Sequence, residues 1–142
     1  DSIRTGLASV GVPHPSEAYD SFMVATQTVV DSGDLINLGP TSPDKAILMH
    51  MVLNDQVIPN LAPPLSGTRP LFPAYGLSKL TESVAGSPIR RYAIFTEGEH
   101  GSLIRPDVSP AATTEMQTQM VSFFLSGGAA VTVGNPAVIE NP

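Results

Sequence analysis

The sequence predicts an α/β fold built on a parallel sheet, and three observations carry that reading. Two apolar runs, 46–53 and 91–96, are short and bounded by turn residues, the pattern of strands buried on both faces. A long proline-rich stretch separates them, as a crossover between parallel neighbours requires. Segments with helical spacing stand before the first run and after the second.

Each element follows in chain order. Residues 1–15, with Gly6, Gly11, Pro13 and Pro15, read as loop. Ser16 suits a helix N-cap and Glu17 the first turn, where the helix dipole favours a carboxylate. Tyr19, Phe22, Met23, Thr26, Val29 and Val30 then fall at helical spacing, giving a helix over 16–31 that Gly33 can stop. Residues 33–44 are a polar turn region, so 16–44 forms a helix and a cap-like segment. The run from Ala46 to Leu53 is broken only by His50 and ends at Asn54-Asp55. Five prolines make 56–76 irregular, with a short helix near 77–84. The second strand, 91–96, ends in Glu97-Gly98-Glu99-His100-Gly101. Ser109 and Pro110 start a last helix, with Met116, Met120, Phe123 and Phe124 as a core stripe and Gly127-Gly128 as its stop. Residues 127–142 form a tail with a β-prone run from Ala130 to Val133.

Composition narrows the function classes. The chain has 142 residues, enough for a single domain with a real core, and 42% of them are hydrophobic. Net charge is −6, and Arg90-Arg91 is the sole adjacent basic pair. A nucleic-acid surface needs clustered cations, so no nucleic-acid partner is expected. Cysteine is absent, which removes disulfides and thiolate metal sites. His14, His50 and His100 show no ligand spacing, so no metal and no cofactor is expected. His50, inside an apolar run, reads as a core histidine with a backbone partner, and His14 as loop surface. The chain starts at Asp1 rather than Met, which suggests a piece of something longer.

Asp55 and His100 are the candidate catalytic residues. Each follows a buried strand, and ligand chemistry in open α/β sheets sits at the carboxyl ends of strands. An imidazole can take a proton from a nucleophile near neutral pH. A carboxylate beside it fixes the tautomer and stabilises the imidazolium. Taken singly, Asp55 is equally a turn residue and His100 a polar loop residue; the pair, in this order on matching strand ends, is what points to catalysis.

The strand followed by Asp55-Gln56-Val57-Ile58-Pro59, the strand followed by Gly98-Glu99-His100-Gly101, and a closing helix together resemble the end of α/β-hydrolases, whose triad runs Ser, Asp or Glu, His. The likeness spans about 40–125. Ile58-Pro59-Asn60, the string from Pro64 to Leu71 and Ala25 to Ser32 look like secreted bacterial lipases. The resemblance implies the C-terminal portion of an α/β-hydrolase parallel sheet with flanking helices, spanning 1–142 as one fragment. It also implies a lipid or acyl-ester substrate and an extracellular or cell-envelope setting. Asp55 would orient His100, and His100 would activate a serine. The helix 16–31 and the stretch 60–76 would shape an acyl entrance.

The nucleophile elbow Gly-x-Ser-x-Gly is absent. The nearest string, Gly6-Leu7-Ala8-Ser9-Val10-Gly11, puts Leu at the first Gly and has no strand before it. The nucleophile is therefore expected upstream, and the partner is an N-terminal fragment of the same enzyme or a second copy pairing along the sheet edge. The alternative is a non-catalytic α/β binding or interaction module in which Asp55 and His100 are ordinary loop residues.

Overall fold

The computed structural model describes residues 2–61 and 67–141, so Pro64, Leu65 and Ser66 of the lipase-like string lie outside the described residues. The chain divides into two compact units, 1–38 and 39–142.

The first unit is helical. Residues read as loop form α1 (Ser2–Ser9). Gly6 lies inside this helix, because a glycine there costs only about 0.5–1 kcal/mol and need not end it. The expected second helix is α2 (Glu17–Val30), with Ser16 as its N-cap accepting from the Tyr19 N–H at 3.1 Å. Of its apolar stripe only Tyr19 is buried; Phe22, Met23, Val29 and Val30 are exposed. The expected turn region holds α3 (Leu35–Leu38) between two short 3-10 turns, Asp31–Gly33 and Gly39–Thr41.

The second unit is α/β, with a small parallel sheet. Strand β1 (Ile47–Val52) precedes α4 (Leu71–Ala74), β2 (Ser78–Lys79), β3 (Val84–Ala85), β4 (Arg90–Phe95), α5 (Pro110–Leu125) and β5 (Ala130–Val131). Strand order is β1-β4-β2, all parallel, with Ile47 opposite Arg90 and Val52 opposite Phe95. A separate antiparallel pair joins β3 to β5. Where a helix near 77–84 was expected, β2 and β3 stand instead. Leu77 and Leu80 are buried in opposite layers of the core, which odd spacing along extended chain achieves and one helix face does not.

Side chains alternate across the sheet. Val52, Ala93 and Phe95 face α5 with Met116, Val131 and Ile139. Met51 and Ile94 face the other layer with Phe72 and Leu77, where Phe72 stacks on Tyr92 at 3.8 Å. Phe95 is fully buried, and burial of a side chain that size stabilises by roughly 1.5–3 kcal/mol. Strand β1 was expected to be buried on both faces, yet only Met51 and Val52 are fully so. The reason is its position: β1 ends the sheet, and among the described residues no strand pairs with its outer edge. Arg90 is spent as a backbone clamp, donating to the carbonyls of Ser42, Pro43, Lys45 and Tyr75.

Helix α5 starts as expected, with Ser109 Oγ accepting from the Ala112 N–H at 3.0 Å. Of the expected stripe, Met116 is buried and Phe123 packs against the core, whereas Phe124 is 70% exposed; Ala112, Thr113, Glu115 and Gln119 join Met116 on the buried face. The polar residues occupy the interior because each finds partners there, as burial of a polar group demands.

Candidate active site

Asp55 and His100 follow β1 and β4, which are hydrogen-bonded neighbours, so both loops leave the same edge of the sheet. His100 Nδ1–H donates to Asp55 Oδ2 at 2.9 Å. Asp55 Oδ1 accepts from the backbone N–H groups of Val57 at 2.8 Å and Ile58 at 2.9 Å. One oxygen thus closes the turn and the other orients the imidazole. Burial alone would push the Asp55 carboxyl up, but the hydrogen bonds from His100, Ile58 and Val57 outweigh it and hold the carboxyl below its usual range. The Asp55 side chain is 12% exposed and that of His100 47%. With Nδ1 engaged, Nε2 is the ring nitrogen left for chemistry.

Each loop is tied down. Asn60 Nδ2 donates to the carbonyls of Val52 and Leu53 at 2.7 and 2.8 Å, fixing the end of β1 just before Asp55. Gly98 has φ +109, and a Cβ there would stand 2.8 Å from Ser102 Oγ; the His100 loop therefore needs glycine at this point. Ser102 is fully buried, accepts from the Glu99 N–H at 2.7 Å, and offers its carbonyl to Thr113 Oγ1 of α5 at 2.6 Å. Glu99 itself turns to Arg105, 3.6 Å away. Nothing in the sequence marks the roles of Asn60, Ser102 and Thr113, because a lone polar residue, in a loop or on a helix, carries no periodic signal.

Asp55 and His100 open onto a cleft of about 260 Å³ that also includes His50, Met51, Ile58 and Leu103. His50 has a side-chain partner rather than the backbone partner expected. Its Nε2 lies 3.1 Å from Gln119 Oε1, and its ring meets Phe95 edge-on at 5.3 Å. Desolvation by burial, only partly offset by Gln119, pushes the His50 pKa down to about 4. An unfolded histidine titrates near 6.5, so below that pH the unfolded chain takes up a proton that the folded chain refuses until about pH 4. Stability should therefore fall by roughly 3 kcal/mol between pH 6.5 and 4 from this group alone. Urea midpoints at pH 7 and pH 4 test this: the gap between them should narrow in His50→Phe, and an unchanged gap would show that another group is responsible.

Ser9 lies in α1, where its hydroxyl donates to the Gly6 carbonyl at 2.7 Å. No strand leads into it, so the setting of a nucleophile elbow is absent there. Among the described residues no cluster of His, Asp and Glu could hold a metal ion, and no helix is long and apolar enough to cross a membrane.

Compared with known proteins, the chain matches no family model, no curated protein and no solved structure. The functional reading therefore stands on the geometry of the site and the motifs around it.

Proposed function

We propose that this chain is the C-terminal part of a serine ester hydrolase of the α/β-hydrolase class, with Asp55 as the acid and His100 as the base of a Ser-His-Asp triad. The observation that carries the reading is the 2.9 Å bond from His100 Nδ1 to Asp55 Oδ2, made by loops at the same edge of adjacent parallel strands. In such a triad His100 Nε2 takes the serine proton during attack and returns it to the leaving alcohol, while Asp55 stabilises the imidazolium. The serine comes from outside residues 1–142. Lipid or other acyl esters are the substrates, and the setting is extracellular or the cell envelope, both on the strength of the family resemblance.

The open edge of β1 supports the expectation of a partner. Among the described residues no strand pairs with the outer edge of β1, where half-buried Ile47, Leu48 and Met49 lie, and such an edge invites a further strand. An N-terminal fragment of the same enzyme fits that edge, and a second copy is the alternative. The competing reading, a non-catalytic module, draws on one observation: the turn hydrogen bonds to Asp55 Oδ1 are what a purely structural aspartate makes.

The purified chain should not hydrolyse p-nitrophenyl esters, since an acid and a base can only assist a nucleophile. Turnover should appear on adding the polypeptide encoded upstream. Turnover by the chain alone that disappears in Ser9→Ala would overturn the reading and make Ser9 the nucleophile.

A further inference from the structure

The tail over residues 134–141 is fastened to the second unit at three places. At its start, Glu115 of α5, 2% exposed, accepts at Oε2 from the backbone N–H groups of Gly134 at 3.0 Å and Asn135 at 2.6 Å. Gln119, with no exposed surface, donates from Nε2 to Oε1 of the same carboxylate at 2.8 Å. In the middle, Val138 and Ile139 are buried in the core beside Phe95 and Met116. At the end, Lys79 Nζ of β2 donates to Glu140 Oε2 at 2.8 Å and to the Asn141 carbonyl at 3.0 Å. The tail runs antiparallel to β4, with Ile139 opposite Phe95. The Glu140 N–H donates to the Ile94 carbonyl at 2.8 Å, and the Thr96 N–H donates to the Val138 carbonyl at 3.0 Å. Strand β2 reaches only as far as Tyr92, whose carbonyl accepts from the Leu80 N–H at 2.7 Å. The tail therefore takes over the edge of β4 where β2 leaves it.

Thr96 is also where β4 passes into the His100 loop. His100 stands four residues after Thr96 and two before Ser102. The far foot of the loop, Ser102, is held to α5 through Thr113. The near foot is held from both sides. The Leu53 N–H, just before Asp55, donates to the Phe95 carbonyl at 2.9 Å, and the tail takes the Thr96 N–H. If the tail lifts, the Thr96 N–H loses its acceptor and the near foot must shift to find water. The bond between His100 and Asp55 is a single contact, and a hydrogen bond weakens steeply once its geometry is lost. The side chains of Lys79 and Glu140 are 23% and 35% exposed, sheltered enough to hold more firmly than an open surface pair. We propose that the tail is a strap that positions His100 against Asp55, and that Lys79 is a positioning residue whose ion pair to Glu140 clasps the strap shut. Releasing the clasp frees the last pairs of the ladder and parts the imidazole from Asp55, while the core of the unit stays folded. The consequence for catalysis rests on the triad reading of Asp55 and His100; the consequence for their hydrogen bond does not.

The test uses the whole chain, with amide hydrogen exchange to follow the strap and the 15N resonances of neutral His100 to follow the base. The tautomer is the informative signal, because it is set by the hydrogen bond the ring makes. In the unaltered chain His100 should carry its proton on Nδ1. In Lys79→Met the Thr96 and Glu140 amides should exchange about tenfold faster, the loss of one charge-assisted bond, while the amide of Ala93 in mid-strand keeps its rate. His100 should then populate both tautomers. Lys79→Arg should restore the slow exchange and the single tautomer. Glu140→Gln keeps an acceptor for the ammonium and should show the same changes to a smaller degree. Faster exchange at Thr96 and Glu140 with the His100 tautomer unchanged would overturn the strap and leave the triad reading standing. Unchanged exchange in Lys79→Met would also overturn it, since Lys79 would then clasp nothing. Should Lys79→Met unfold, Glu140→Gln decides: exchange that rises at Ala93 together with the tail amides would make the pair a general prop of the fold and refute the proposal. A mixture of tautomers in the unaltered chain would remove the triad reading itself, and the strap's role with it.

Discussion

Asp55→Asn should lower ester turnover of the assembled enzyme by up to roughly 10⁴, the loss seen when a triad aspartate becomes an amide. The local geometry says why the amide cannot escape the wrong orientation. Asp55 Oδ1 is pinned by two backbone donors, Val57 and Ile58. In the variant the amide oxygen must stay with them, and the amide nitrogen must take the place of Oδ2. That nitrogen donates, so His100 Nδ1 becomes the acceptor and the ring proton moves to Nε2. The nitrogen that should take a proton then already carries one. The turn survives because its acceptor survives, so the unfolding midpoint should move little. Two measurements check this: kcat of the assembled enzyme, and the 15N shifts of His100 in the chain alone, which should report the exchanged tautomer. A large loss of kcat with the His100 tautomer unchanged would mean that Asp55 acts in some other way.

Glu115→Ala should destabilise the second unit by roughly 2–4 kcal/mol. Three donors lose their acceptor at once, and an unpaired buried donor costs about 1–3 kcal/mol. The Gly134 and Asn135 N–H groups lie nearer solvent and water can recover part of their loss, whereas Gln119, with no exposed surface, cannot be so rescued. Denaturant unfolding of the chain measures the loss. A change below about 1 kcal/mol would show that the buried network is not holding the tail to α5.

Much of this architecture was legible in the residues, and the rest was hidden for identifiable reasons. The strands β1 and β4 were readable because short, mostly apolar runs bounded by turn residues have few other uses. Asp55 and His100 were readable because each sits in the loop that follows such a run. The helix α5 was readable at its start, from Ser109 and Pro110, but not in its rotation. Hydrophobic periodicity pointed to Met116, Met120, Phe123 and Phe124, whereas the helix turns Glu115 and Gln119 inward, where Gly134, Asn135 and His50 satisfy them. Those partners are 19 or more residues distant along the chain, and no local pattern announces them. The two-residue strands β2 and β3 were invisible for the same reason: each is defined by its neighbour, β4 or β5, rather than by its own composition. Helix α1 was lost to Gly6, a residue that punctuates loops more often than it interrupts helices.

The central claim is that Asp55 and His100 serve a serine outside residues 1–142. Fluorophosphonate labelling tests it most directly, because the reagent bonds only to a serine whose proton a working base removes. The chain should be combined with the polypeptide encoded upstream, labelled, and the modified residue located by mass spectrometry. One labelled serine is expected, on the upstream polypeptide, with labelling lost in His100→Ala and strongly reduced in Asp55→Asn. Labelling of Ser9, or upstream labelling that is indifferent to His100→Ala, would contradict it.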